Sequence, residues 1–132
     1  MAAARDALWS SVQPLLHRFA EQIARSNCAA SYSVASTSNE ALLLRGHAAL
    51  RKANSDDEVA VTVDAVLGEG GVVLSVDACM DHGEVFAEGP GTTLLLQEIS
   101  SAGGTSFAEW LQRLEGFLAS IETPVKERVE AM

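Results

Sequence analysis

The hydrophobic pattern of this chain changes period twice, and that limits the folds open to it. Over residues 5–25, Trp9, Val12, Leu16, Phe19 and Ile23 recur at spacings of three and four, and Leu8 and Leu15 widen the stripe. This is the pattern of an amphipathic helix. From 28 to 99 strict alternation takes over, broken by clusters of Gly, Asn, Asp and Pro, as expected of strands and turns. Over 106–121 a helical stripe returns: Phe107, Trp110, Leu111, Leu114, Phe117, Leu118 and Ile121. Helix, strands, helix is the order of an α+β domain.

The alternation predicts strands near 29–37, 41–53, 58–67, 71–80, 84–88 and 92–99. The turns between them fall at Ser38-Asn39, 54–57, 68–70, 81–83 and 89–91. Each is short, so sequence neighbours should pair antiparallel as a meander. The expected fold is an antiparallel sheet of five to six strands with an N-terminal and a C-terminal helix packed on one face. It forms two layers, α-β(5–6)-α, and 1–132 is a single domain. Pro14 either kinks the first helix or lies in the first turn of one that starts near Ser11. Ser26-Asn27 ends that helix. Ser106 and Glu109 read as a capping box for the second helix. Pro124 then opens a charged tail of one or two more helical turns.

Three strands can be set in register by their apolar faces. Leu42, Leu44, Ala48 and Leu50 share one face, followed by Val59, Val61, Val63 and Ala65, then by Val72, Leu74, Val76, Ala78 and Met80. That face is the core, and a slip of one residue would expose it all. The opposite face carries Arg45, His47, Arg51, Thr62, Asp64, Ser75, Asp77 and Cys79. Pairing residue 50 with 61 and 63 with 76 puts His47 opposite Asp64, Asp64 opposite Ser75, and Arg51 near Thr62 and Asp77. Cross-strand charge pairs of this kind stabilise a solvated face.

Charge sets the class of partner. The net charge of −9 argues against nucleic acid and against anionic membranes, both of which need Lys and Arg. Between Lys52 and Arg113 there are eleven acidic residues and no Lys or Arg. Such a one-sign field keeps a small protein soluble, and it also steers a basic partner. The two cysteines, Cys28 and Cys79, form no CxxC and no disulfide framework. The start of the chain lacks the basic and apolar regions of a signal peptide. No apolar run is long enough to span a bilayer. A cytoplasmic protein with reduced thiols is expected.

Chemical motifs are weak. A triad of His47, Asp64 and Ser75 would place the carboxylate between serine and histidine, whereas a triad needs the histidine there. Cys79 and His82 lie three apart, with no second pair to complete a zinc site. His17 lies on the first helix among apolar neighbours as a surface residue. The glycine-rich stretches 68–71 and 89–91 precede no helix, and 103–106 lacks the lysine of a P-loop. No catalytic residue, cofactor or metal is assigned.

The sequence therefore points to a non-enzymatic acidic protein-binding module, such as a small chaperone, an immunity or inhibitor-type protein, or a regulatory protein. Asp56, Asp57, Glu58, Asp81 and Glu84 are its expected contacts to a basic partner. The alternative is a small-molecule binder or small enzyme that uses the polar sheet face of Arg45, His47, Arg51, Asp64 and Asp77. A homo-oligomer subunit is a third reading, since the first-helix stripe is wide enough for part of it to pack on a second copy.

Overall fold

The computed structural model describes residues 2–24, 28–36, 41–52, 58–80, 84–100 and 105–131. In chain order the elements are α1 (Ala2–Ile23), β1 (Cys28–Ser36), β2 (Leu42–Lys52), β3 (Glu58–Gly68), β4 (Gly71–Met80), β5 (Val85–Glu88), β6 (Thr92–Leu94), α2 (Leu96–Ser100) and α3 (Thr105–Ala131). The expected architecture is present: one six-stranded antiparallel sheet, with α1 and α3 on one face.

The core lies between that face and the helices. Leu8, Val12, Leu16, Phe19 and Ile23 of α1 are buried against it, as are Trp110, Leu114, Leu118 and Ile121 of α3. They meet Leu44, Ala48 and Leu50 of β2, Val59, Val61, Val63 and Ala65 of β3, and Val72, Leu74, Val76 and Ala78 of β4. Each large aliphatic or aromatic side chain buried this way contributes about 1.5–3 kcal/mol. No polar or charged side chain is buried among the described residues. Met80 is only half-buried, at the end of its strand.

α1 begins and ends earlier than the 5–25 expected of it, and α3 is longer than the 106–121 stripe. α1 runs through Pro14, so it does not begin near Ser11. Pro14 and Ser10 are both exposed, so water can bond the carbonyl that the proline leaves unpaired. α3 likewise runs through Pro124 to Ala131. The charged tail is the one or two further helical turns expected, continuous with α3, and Val125 and Val129 extend the buried stripe into it. α3 starts at Thr105, which places Ser106 inside the first turn rather than at the cap. Trp9 departs from the α1 stripe and is 44% exposed.

The sheet departs from the expected meander in three places. A bulge between Leu42 and Leu44 puts Leu43 in the core where Leu42 was expected. β6 does not pair with β5: both pair with β4, which holds β6 through Val72–Leu74 and β5 through Asp77–Cys79. The expected strand 92–99 stops at Leu94, and 96–100 forms α2, with Glu98 accepting a hydrogen bond from the Leu95 amide at 2.8 Å. The turns expected at Ser38-Asn39, 54–57 and 81–83 lie outside the described residues. α1 stops at Ile23 with Ala24 no longer helical, so the helix ends before the Ser26-Asn27 expected to stop it.

The β3–β4 register is the expected one, Val63 facing Val76. The β2–β3 register is two residues away from it, pairing Leu50 with Val59 rather than with Val61. A shift of two keeps every core residue on its face, so alternation does not distinguish the two pairings. Charge does. The observed register sets Arg45 against Asp64 and Arg51 against Glu58.

Candidate functional site

The sheet face opposite the helices is the candidate site, because no described element packs across it. Its rows follow from the register. One row runs Arg45, Asp64, Ser75; the next His47, Thr62, Asp77, Glu88; the next Ala49, Ala60, Cys79, Val85. Beyond Arg45, Val66 and Val73 face each other and are 38% and 43% exposed. They share the parity of Asp64 and Ser75, so alternation already assigned them to this face, although only its polar members drew attention.

The cations of this face sit on β2, and two acids of β3 answer them. Arg45 Nε donates to Asp64 Oδ1 at 2.9 Å, and Arg51 Nη2 donates to Glu58 Oε2 at 3.3 Å. His47 Nε2 lies 3.8 Å from Glu58 Oε1. The Asp64 carboxylate, by hydrogen bond and by charge, pushes the Arg45 pKa above its ordinary value. His47 therefore faces Thr62, not Asp64, and Arg51 faces Glu58 rather than lying near Thr62 and Asp77. The triad is more remote than the sequence suggested, since Asp64 and Ser75 lie in the row next to His47.

Asp77 of β4 and Glu88 of β5 face each other and not a cation of the described residues. Asp77 faces Thr62 on one side and Glu88 on the other. Partial burial, and then the charges of Asp64 and Glu88, hold its carboxyl pKa above the ordinary range. The Cys79 thiol is also raised, by burial first and then by Asp77 and Glu58. It therefore stays protonated and poorly nucleophilic. Glu88 was not singled out in the sequence, because its pairing depends on a bulge at Ala78/Cys79 that alternation does not reveal.

An open cleft of about 290 Å³ lies beside these two carboxylates. It is lined by Ser75, Val76, Asp77, Glu88, Gly89 and Gly91, where the chain crosses from β5 to β6. The crossing is pinned from both sides: the Gly89 amide donates to the Val76 carbonyl at 2.8 Å, and Trp110 Nε1 donates to the Pro90 carbonyl at 3.0 Å. The glycines at 89 and 91 thus serve a strand crossing and not an anion loop. The bulge also turns Phe86 toward α3, where the Arg128 guanidinium stands 4.1 Å from its ring centroid.

Of the five acids expected to meet a partner, Glu58 is engaged by β2 and Glu84 is exposed just before β5. Asp56, Asp57 and Asp81 lie outside the described residues, as does His82. Among the described residues no three of His, Cys, Asp and Glu are grouped to hold a metal ion. No described helix is long and apolar enough to cross a membrane. Comparison with protein-family models, with curated proteins and with solved structures returns no match.

Proposed function

We propose that this chain is a non-enzymatic protein-binding module of the cytoplasm, such as a small chaperone, an inhibitor or a regulatory protein. Its docking surface is the β4–β5 side of the open sheet face, and its partner presents a basic patch. One observation carries this reading: β2's arginines are matched by Asp64 and Glu58, while Asp77, between Thr62 and Glu88, is disfavoured as an anion by partial burial first and then by the charges of Asp64 and Glu88. An arginine or lysine from a partner placed beside Asp77 and Glu88 relieves that repulsion. The sheet alone does not.

The test is affinity capture from native lysate at low salt, eluted by a salt step, with wild type and a D77N/E84Q/E88Q variant as parallel baits. The expected result is one stoichiometric basic protein on the wild-type bait and its loss from the variant. Equal capture by both baits would overturn the reading. With the partner in hand, the variant should slow association more than it speeds dissociation, because exposed charges act on the encounter.

A further inference from the structure

The two edges of this sheet are built in opposite ways. The β4 edge is covered by β5 and β6, strands of four and three residues, with a bulge and the acids Glu84 and Glu88. These are the usual devices that stop one sheet from pairing with another. The β1 edge has none of them. β1 is nine residues long, Cys-Ala-Ala-Ser-Tyr-Ser-Val-Ala-Ser, with no charge, no proline and no glycine. It pairs with β2 without a register shift over its whole length. Among the described residues, β2 is the one strand that pairs with it.

We propose that β1 pairs antiparallel with β1 of a second copy of this chain, about a two-fold axis at Tyr32, joining two sheets into one. The strand sequence is nearly palindromic about that residue. Ser31 meets Ser33 of the second copy, Ala30 meets Val34, Ala29 meets Ala35, and Cys28 meets Ser36. Every pair joins residues of the same parity, so core face continues into core face and open face into open face. No charge opposes another, although each copy carries −9. The pairing is isologous and closes at two. It also satisfies the outward amides and carbonyls of β1 with about eight to ten backbone hydrogen bonds.

A second feature has the shape this pairing requires. A depression of about 250 Å³ lies between α1 and β1, lined by His17, Ala20, Glu21, Ala24 and Ala30. No β2 residue lines it, so it opens on the outer flank of the molecule. The three alanines there, beside the exposed His17–Glu21 pair, leave room for the core layer of the second copy to continue past the edge.

Solution mass by light scattering over a concentration series tests the pairing on the full chain. Wild type should read twice the 13.9 kDa chain mass. Ser31 and Ser33 are both exposed, so charges introduced there leave the core alone. S31E/S33E sets like charges directly opposite across the axis, and its mass should fall by a factor of two while its circular dichroism and melting keep the wild-type form. S31K/S33E sets opposite charges across the same axis and should restore the doubled mass. High salt should leave the wild-type pair intact, unlike salt elution of a basic partner, so failure here and failure of the proposed function are separable. A wild type of single-chain mass at every concentration, or of any other mass, would overturn the proposal. So would a doubled S31E/S33E, or an S31K/S33E that stays single.

Discussion

Gly89→Ala tests how the acidic margin is held. The Gly89 amide bonds the Val76 carbonyl, which presses its α-carbon between β4 and α3. A methyl placed there stands 2.8 Å from Val76 Cβ and 2.9 Å from Phe117 Cδ2. Carbon atoms at optimal contact are about 3.5–4.0 Å apart. Phe117 can turn, but Val76 Cβ is fixed to the β4 backbone and cannot. Either the crossing at 89–91 lifts off, or α3 shifts outward. Overpacking of this kind costs about 1–3 kcal/mol. Lifting the crossing also strains the Gly89–Val76 and Trp110–Pro90 hydrogen bonds, each worth about 0.5–1.5 kcal/mol net. A loss of about 2–4 kcal/mol is expected from the two effects together. For a chain of this size that lowers Tm by roughly 6–16 °C. The assay is urea unfolding with an unchanged slope, checked by calorimetry. Gly91→Ala is the control: its methyl meets nothing nearer than the Leu74 carbonyl oxygen at 3.5 Å, an ordinary contact. If G89A unfolds within about 0.5 kcal/mol of wild type, the range of an ordinary surface change, or if G91A costs as much, the packing argument is wrong.

Gly116→Ala should go the other way, because Gly116 is exposed inside α3 with nothing within 4 Å of its added methyl. A gain of about 0.5–1 kcal/mol in urea unfolding is expected. Val129→Ala should cost about 1–2.5 kcal/mol by the same assay, whereas a frayed tail would show no change. A double-mutant cycle on Arg45 and Asp64 should give a coupling of about 0.2–1 kcal/mol that shrinks in high salt, since Arg45 is largely exposed. Asp77→Asn should be neutral or stabilising by up to about 1 kcal/mol at neutral pH, because it removes a carboxylate that is partly buried and set beside the like charges of Asp64 and Glu88. The sign follows from linkage. A carboxyl with a raised folded pKa binds its proton more tightly folded than unfolded, so wild-type stability falls as pH rises through the window between its ordinary and folded values. On acidification through that window, wild type should gain on D77N in urea titrations, and the reverse trend would reject the assignment.

What was legible in the sequence was periodicity, and periodicity carries parity only. It assigned Val59, Val61, Val63 and Ala65 to the core and Asp64 and Asp77 to the open face. It could not choose between β2–β3 registers two residues apart, since both bury the same side chains. That choice falls to Arg45–Asp64 and Arg51–Glu58, a charge pattern that periodicity does not register. Bulges were invisible for the related reason that they break parity locally. They account for Leu43 replacing Leu42, and for Phe86 turning toward Arg128 while Glu88 comes to Asp77. The prolines left the helix bounds open, because proline's cost depends on surroundings that periodicity does not show. Pro14 stands where water is available, and beyond Pro124 the burial of Val125 and Val129 outweighs one lost hydrogen bond.

The charge imbalance of the chain looks different once the sheet is assembled. Read along the sequence, the eleven acids after Lys52 form one block. Folded, the described part of the block is divided: Asp64 and Glu58 face the β2 cations, Glu98 and Glu109 lie on α2 and α3, and Asp77, Glu84 and Glu88 lie at β4 and β5. That margin lies at the far side of the sheet from β1, which carries no charge at all. If two copies join at β1, the two acidic margins end up on opposite flanks of a continuous sheet. Ten strands lie along that path, and their nine spacings of about 4.8 Å separate the margins by roughly 43 Å. A small basic partner cannot reach from one to the other, so each margin must bind its own. The complex should therefore contain two copies of each chain, and the intrinsic affinity of one margin should not change when S31E/S33E splits the pair. A partner that binds one per pair, or loses affinity on splitting, would place its contacts at the β1 seam instead.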